Sequence, residues 1–289
     1  FLYFIGTTAS NMASGRSRLC AVVAVGLVAC AMNLAAASPC VGLNVAAWNG
    51  VALAVPSYTL VMRTGATDIP AMTCFTVGPG TQNSAGRYRG NWRQLTNGHQ
   101  TYGYAPTTFR DHVKGSGGGI GGGGRRWNRG HLVADRYFND NSDKANTYFM
   151  ANMVPQLYHC NGGWWSHTVE AFVNSYMDNH AQNGDWVFVG TEGNFPDRNN
   201  PAQSQYPGDN ANDNPVAKTT HGVQHVAWMW TAICKKNKGG YMLAAGNPNN
   251  RYCYPQHTGA MPAALNGVIG LLNGICGTRK LWGSWATNA

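Results

Sequence analysis

The alternation of apolar and polar positions along the chain predicts a protein of strands with a few helices. Five runs rich in β-branched and aromatic residues are bounded by glycine, proline or asparagine, which is typical of strands. The clearest helix is predicted at residues 164–182, where apolar side chains counted from Trp165 recur at spacings of 0, 4, 7, 8 and 11. A last helix is predicted over 261–275. The predicted strands are YTLVMR (58–63), MTCFTV (72–77), WVFVG (186–190), VQHVAWMWTAIC (223–234) and GYMLAAG (240–246).

Two stretches lack any period and are predicted to be loops. GSGGGIGGGG at 115–124 is a flexible loop, because no Gly-Lys-Ser/Thr follows it as in a phosphate-binding loop. The polar, proline- and asparagine-rich stretch at 194–215 is a surface loop and not a domain linker, because strand patterns resume after it. We therefore expect residues 39–289 to form a single domain.

Residues 1–38 have the pattern of a targeting leader. Two arginines precede the almost wholly apolar residues 19–34, and the small residues AAAS follow at 35–38. We expect a secretory signal peptide that starts at Met12, and hence an extracellular protein. An uncleaved membrane anchor is the alternative, because the apolar run approaches the ~20 residues that span a bilayer. Only in that case is a membrane a partner.

The charge balance of the chain is basic. Charged residues make up 11% of the 289 residues, and the formal net charge is +9. Loss of residues 1–38 leaves 19 basic and 12 acidic side chains, a net charge of +7. A basic balance favours a polyanionic partner such as nucleic acid or an acidic membrane, although a basic secreted protein without such a partner has the same charge.

The cysteine content agrees with export. Six cysteines remain after the leader, and an even number in an exported chain predicts disulfides, with 15 possible pairings. The chain has no C-x-x-C spacing, which argues against a zinc ribbon. The six are Cys40, Cys74, Cys160, Cys234, Cys253 and Cys276.

The densest group of chemically active side chains lies in RRWNRGHLVADRYF, residues 125–138. In an extended segment Arg129 and His131 would share one face, and Gly130 would leave room for a close backbone or a ligand. Arginine offers planar donors to phosphate oxygens, and histidine can take a proton from water near neutral pH. Taken alone, NRGH at 128–131 also fits a basic turn with an incidental histidine.

Two further segments follow this tetrapeptide in order. They are ANMVPQ at 151–156 and CNGGWWSHTVEAF at 160–172. The ordered set NRGH, NMVPQ and NGGWW resembles the DNA/RNA non-specific endonuclease family, which includes mitochondrial endonuclease G. YRGNWR at 88–93 and DWVFVGTEG at 185–193 extend the resemblance to roughly 86–250. It implies an α+β, ββα-metal (His-Me finger) fold with a central antiparallel sheet flanked by helices, here stabilised by disulfides.

The resemblance implies a metal-dependent endonuclease that hydrolyses phosphodiester bonds of DNA and RNA to 5′-phosphate ends. His131 would be the general base that deprotonates water. Asn161 would be the direct protein ligand of Mg²⁺, with Mn²⁺ as the alternative ion and waters in the remaining positions. DNA and RNA would be the partners, as substrates. No stable protein partner is indicated, and no oligomeric state is predicted.

The resemblance also implies roles for the surrounding polar residues. Arg129 and Arg89 would stabilise charge in the transition state, and Asn152 would help to place the site or the substrate. Glu170 would hold a metal-bound water. Three neighbouring arginines compete with Arg89 for its role: Arg87, Arg93 and Arg110.

Three positions depart from the family pattern. Asn128 stands where aspartate is commonest, and Asn174 stands where some members have an arginine. Glu170 follows Asn161 by nine residues, where the usual spacing is eight. On an α-helix the extra residue would rotate Glu170 by about 100° and leave it a solvated helix charge, unless the GGWW segment absorbs it.

Other candidate residues have simpler explanations. His221 and His225 form H-x-x-x-H, but Gly222 replaces the glutamate of a zinc protease, and strand packing explains the pair better. Asp135 and Asp140 have no distinct predicted role. Two alternative functions stay open. One is a catalytically weak nuclease-like protein that binds nucleic acid, and the other is a secreted disulfide-rich binding module with no metal requirement.

Overall fold

The structure is a computed structural model, and it divides into two compact units, Phe1–Ala37 and Ser38–Ala289. Strands β1 (Ala21–Val23) and β2 (Leu27–Ala29) form an antiparallel hairpin within the first unit. None of the helices it describes is long and apolar enough to cross a membrane. The described residues are 21–23, 27–29, 45–48, 50–64, 68–77, 88, 90–107, 127–194, 225–235, 239–249, 253 and 263–279.

Several predicted features lie outside the described residues and stay predictions. The signal-peptide assignment and the single-domain boundary at residue 39 also stay predictions. The features outside the described residues are Arg87, Arg89, Arg110, the loop 115–124, the loop residues 195–215 and His221.

A six-stranded antiparallel sheet forms the centre of the described part of the second unit. Its strands are β3 (Gly50–Val55), β4 (Tyr58–Arg63), β5 (Pro70–Val77), β10 (Asp185–Asn194), β11 (Val226–Cys234) and β12 (Tyr241–Gly246). Their order across the sheet is β12–β11–β10–β5–β4–β3. Neighbours β5 and β10 come from distant parts of the chain, with Cys74 opposite Phe188. All five predicted strands are present, β3 was not predicted, and the predicted α+β class is confirmed.

The central strands are apolar on both sides because both faces of the sheet are covered. Along β11, Met229 and Ile233 belong to one buried cluster, whereas Trp230 and Ala232 belong to another. This alternation follows the two-residue period of a strand. Helix α3 (Asn266–Cys276) contributes to the second cluster, and the first cluster lies on the side that carries the NRGH segment.

Disulfides connect the sheet to its covering segments. Cys234 at the end of β11 is bonded to Cys276 at the end of α3, with a Cα–Cα distance of 5.4 Å. Cys160 is bonded to Cys253, with a Cα–Cα distance of 4.8 Å, and Cys74 is disulfide-bonded as well. The predicted stabilisation by disulfides is therefore confirmed.

The predicted helix at 164–182 begins earlier and ends earlier than its pattern suggests. It starts as a π-helical segment, Cys160–Glu170, and continues as α2, Ala171–Asn179. The prediction left out the first turn, because the glycine pair at 162–163 is typical of a loop. The predicted apolar stripe is buried at Trp165, Val169, Val173 and Tyr176 and partly buried at Phe172.

Shorter elements complete the layer around the NRGH segment. Helix α1 (Asn141–Asn146) is capped by Asp140, whose Oδ1 accepts a hydrogen bond of 2.6 Å from the Ser142 amide. Asp140 therefore has a structural role that the sequence did not reveal. Two antiparallel strand pairs complete the layer. They are the hairpin of β6 (Leu95–Asn97) with β7 (Gln100–Tyr102), and the pair of β8 (Trp127–His131) with β9 (Met153–Leu157).

We expect Trp165→Ala to destabilise the protein by about 3–5 kcal/mol, because it removes a large side chain that is 1% exposed in the core. The control is His167→Ala, an exposed position two residues along the same segment, which should change stability by less than about 0.5 kcal/mol. Denaturant unfolding measures both values. Equal effects of the two substitutions would contradict the packing described here.

Candidate active site

Strand β8, which pairs with β9, contains the NRGH segment. Its antiparallel register places Asn128 opposite Gln156 and His131 opposite Met153. Because successive side chains of a strand point to opposite faces, Arg129 and His131 share one face, and Asn128 and Gly130 share the other. The segment is a strand, so the condition under which Arg129 and His131 share a face is met.

Two aromatic rings hold the His131 imidazole. Its ring centroid lies 4.6 Å from that of Trp92 and 5.0 Å from that of Tyr148. The Arg129 guanidinium carbon lies 5.6 Å from the centre of the Trp92 ring, so Arg129 and His131 both contact one tryptophan. The side chain of His131 is buried, with 8% exposure. The rings restrict the orientation of the imidazole.

Asp135 anchors this aromatic group. Its Oδ2 lies 3.0 Å from the Tyr148 hydroxyl and accepts a hydrogen bond of 3.2 Å from the Tyr88 amide. The Tyr148 hydroxyl also lies 2.7 Å from the Tyr88 backbone oxygen. Asp135, which had no predicted role, therefore links the segment at Tyr88 to the turn that follows His131.

Asn152 is a buried clamp behind His131. Its Oδ1 accepts from the Val133 amide at 3.0 Å, and its Nδ2 donates to the backbone oxygens of Val133 at 2.9 Å and Thr147 at 2.8 Å. The Leu132 amide donates to the backbone oxygen of Asn152 at 3.0 Å. The fully buried side chain has all its polar atoms bonded, so its contacts favour a role in placing the site and not in binding substrate.

The Asn161 amide is held at both ends. Its Nδ2 donates to Gln156 Oε1 at 2.8 Å, and its Oδ1 accepts from Asn128 Nδ2 at 3.2 Å. These amide orientations follow from the donor and acceptor pattern of the network. Asn161 is half-buried, whereas Gln156 is fully buried. Asn161 is therefore fixed against the strand that carries Arg129 and His131.

This arrangement fits a hydrated hard cation. A carbonyl oxygen has two lone pairs, so Asn161 Oδ1 can keep its bond to Asn128 and bind an ion as well. Among the residues that the structure describes, no group of three or more His, Cys, Asp or Glu side chains could hold a metal. A single amide oxygen with waters suits Mg²⁺, which keeps much of its hydration.

The glycine between Arg129 and His131 makes room for Gln156. A Cβ atom at Gly130 would lie 2.9 Å from Gln156 Cβ and would overlap Gln156 Oε1. The expectation that Gly130 leaves room for a backbone or a ligand is therefore corrected, because a side chain fills that space. That side chain is the one that accepts from Asn161.

The π-helical segment absorbs the extra residue between Asn161 and Glu170. Its backbone departs from helical geometry at Gly163, where φ is −100° and ψ is −111°, so a kink inside GGWW accommodates the extra residue. Glu170 is 8% exposed, so the expectation of a solvated helix charge is wrong. Its Oε2 lies 3.8 Å from Arg136 Nη1, which also donates to the Ser166 backbone oxygen at 2.9 Å.

Burial changes the electrostatics of the site. Desolvation lowers the pKa of Arg129, which stays a cation at neutral pH. Burial, and then the negative charge of Glu170, raise the pKa of Tyr137, and the charge of Arg136 opposes them. Glu170 and Arg136 therefore act on Tyr137 with opposite sign.

Of the H-x-x-x-H pair, the structure describes His225. His225 is fully buried, and its Nδ1 is hydrogen-bonded to Asn249 Oδ1 at 2.9 Å. Its packing role is confirmed, and His221 lies outside the described residues.

Three residues of the site were not predicted from sequence. Trp92 lies in the quoted YRGNWR segment, and Gln156 ends NMVPQ, so both stand inside motifs that could have indicated them. Tyr148 lies in no motif, and only the fold brings its ring to His131.

Comparison with known proteins agrees with this geometry. The family model described as DNA/RNA non-specific endonuclease matches residues 43–268, and the chain belongs to this family. It is therefore a nuclease, an enzyme that hydrolyses phosphodiester bonds, and the predicted resemblance is confirmed.

Solved structures show the same fold. A chain of the crystal structure of the EndoG/EndoGI complex, which concerns the mechanism of EndoG inhibition, is 16% identical with a TM-score of 0.52. The match covers 78% of this chain and 83% of that chain. At this identity the likeness shows the fold. Comparison with curated protein sequences found no significant match.

We expect Gly130→Ala to destabilise the protein by about 1–3 kcal/mol, because its Cβ would displace Gln156. Gly162→Ala is the matched control beside Asn161, where an added Cβ has no atom within 4 Å. It should leave stability unchanged or raise it by up to about 1 kcal/mol. The free energy of unfolding of each variant is measured and compared with that of the wild type. A Gly130→Ala protein as stable as the wild type would contradict the close packing.

Proposed function

We propose that the chain is a Mg²⁺-dependent endonuclease that cleaves DNA and RNA with little sequence preference and leaves 5′-phosphate ends. One observation carries this proposal: the hydrogen bond between Asn128 and Asn161 ties an amide oxygen suited to Mg²⁺ to the strand that carries Arg129 and His131. Low specificity follows because phosphate contacts carry no base information. Mn²⁺ has the same ligand preference and is the alternative ion.

His131 is the proposed general base. Its imidazole takes a proton from water, the water oxygen bonds to phosphorus, the bond from phosphorus to the 3′ oxygen breaks, and that oxygen takes a proton from solvent. Asn161 Oδ1 would hold a divalent ion, which would supply charge stabilisation at the phosphate. The attacking and leaving oxygens lie roughly in line.

Arg129 is the proposed stabiliser of negative charge in the transition state. Its guanidinium lies on the His131 face of β8 and is held against Trp92. Glu170, paired with Arg136, is proposed as the residue that would orient a water of the ion's hydration shell when an ion is bound.

Arg89 is proposed to assist Arg129. This proposal is supported by its neighbour Tyr88, whose backbone amide donates to Asp135 in the turn after His131. Of the competing arginines, Arg93 instead stacks on Phe149, with its guanidinium carbon 4.4 Å from the ring centre.

Export is proposed from two features. The first 38 residues have the composition of a signal peptide, and the described residues contain disulfides, which persist in oxidising compartments. Residues 39–289 are proposed as the mature nuclease domain.

We expect His131→Ala to lower the rate of plasmid and RNA cleavage by about 10²–10⁴-fold, the usual contribution of a general base. A chelator should abolish cleavage by the wild type, and added Mg²⁺ should restore it. His99→Ala is the control, because His99 is exposed in the turn between β6 and β7. If His131→Ala and the wild type degrade substrate alike, the assignment of the base is wrong.

A further inference from the structure

A buried disulfide lies directly beside the proposed metal ligand. Cys160, which precedes Asn161, is bonded to Cys253, 93 residues later, and both cysteines are fully buried. Gln156 Nε2 lies 3.1 Å from Cys160 Sγ and 3.6 Å from Cys253 Sγ. The other end of the same amide, Gln156 Oε1, accepts from Asn161 at 2.8 Å. One buried side chain therefore contacts both the disulfide and the ligand.

The far end of this disulfide is anchored to the core of the protein. The segment that follows β12 is bonded to β9 by the Leu157 amide, which donates to the Pro248 oxygen at 2.9 Å. Asn249 Nδ2 donates to the Val226 oxygen at 2.7 Å, at the start of β11. Cys253 itself has a φ of 56°, a left-handed conformation that residues other than glycine rarely adopt. These contacts hold residues 248–249 against the central sheet, and Cys253 itself belongs to the buried core cluster.

The near end begins the π-helical segment. Disulfide bonding fixes the backbone at Cys160, immediately before Asn161, and Trp164 in the next turn lies against the end of β12, since a Cβ added at Gly246 would be 3.0 Å from Trp164 Cζ3. The sulfurs are weak acceptors, but they are the hydrogen-bond partners found for Gln156 Nε2 in a fully buried position. Loss of the covalent bond would release Cys160, and with it Asn161, from its anchor at Cys253.

We propose that the Cys160–Cys253 disulfide and Gln156 are positioning residues that set the affinity of the nuclease for its divalent ion by holding Asn161 in one orientation. This inference rests on the proposed function, because it requires Asn161 to be the ligand. Partners that orient a ligand typically contribute about 10–100-fold to metal affinity. Loss of the disulfide should therefore weaken ion binding, and excess ion should compensate for it.

The test compares two paired substitutions in the full chain. C160S/C253S removes the disulfide beside Asn161, whereas C234S/C276S removes the one that joins β11 to α3. Mn²⁺ binding is measured by calorimetry without nucleic acid, and cleavage is measured as Mg²⁺ is raised. We expect C160S/C253S to raise the Kd for Mn²⁺ by about 10–100-fold, with cleavage recovered at high Mg²⁺. C234S/C276S should lower the melting temperature and leave the Kd within about 2-fold of the wild type.

A second variant keeps every disulfide. Gln156→Leu removes the acceptor of Asn161 Nδ2 and should raise the Kd for Mn²⁺ by about 10–100-fold. Combined with C160S/C253S, its effect should be less than additive, because both changes act on the orientation of Asn161. If C160S/C253S does not fold, the Kd of Gln156→Leu for Mn²⁺ tests the inference by itself.

The outcomes separate this inference from the proposed function. Wild-type affinity for Mn²⁺ in Gln156→Leu, or an equal loss of affinity in the two disulfide variants, would overturn the inference while the nuclease mechanism stands. If the wild type binds no Mn²⁺, or if His131→Ala still cleaves, the proposed function fails and the inference fails with it.

Discussion

The register between β8 and β9 is the constraint on which the candidate site depends. It places Gln156 opposite Asn128, and Asn161 is hydrogen-bonded to both. The same register sends Arg129 and His131 to the other face, against Trp92. A slip of one residue would exchange the two faces and separate the amide group from its partners. The glycine at 130 belongs to this constraint, because any larger residue would collide with Gln156.

Buried amides turn that register into a rigid site. Gln156 and Asn152 are both fully buried. Gln156 accepts a hydrogen bond from Asn161, and Asn152 is hydrogen-bonded to Val133 and Thr147. A buried amide without partners costs about 1–3 kcal/mol, so such residues restrict the chain to arrangements that satisfy them. The aromatic rings beside His131 serve the other face in a different way, by packing. Polar and aromatic contacts thus hold the two halves of the site on one strand.

How much could be predicted from the sequence depended on whether the signal was local. The strands at Tyr58–Arg63 and Val226–Cys234 followed from apolar runs, and NRGH, NMVPQ and NGGWW indicated the family. The π-helical turn could not be predicted, because apolar spacing from Trp165 onward has an ordinary helical period and the extra residue lies before it. Disulfide partners, the ring of Tyr148 and the pairing of Glu170 with Arg136 are contacts between distant parts of the chain, which spacing does not encode.

The most direct measurement is a crystal structure of the protein soaked with Mn²⁺, with the ion located by its anomalous scattering. If the β8–β9 register builds a nuclease site, the ion lies at coordination distance from Asn161 Oδ1, beside the strand that carries His131. Waters fill its other coordination positions. An ion bound elsewhere, with Asn161 turned away from it, would contradict the metal site and the mechanism built on it.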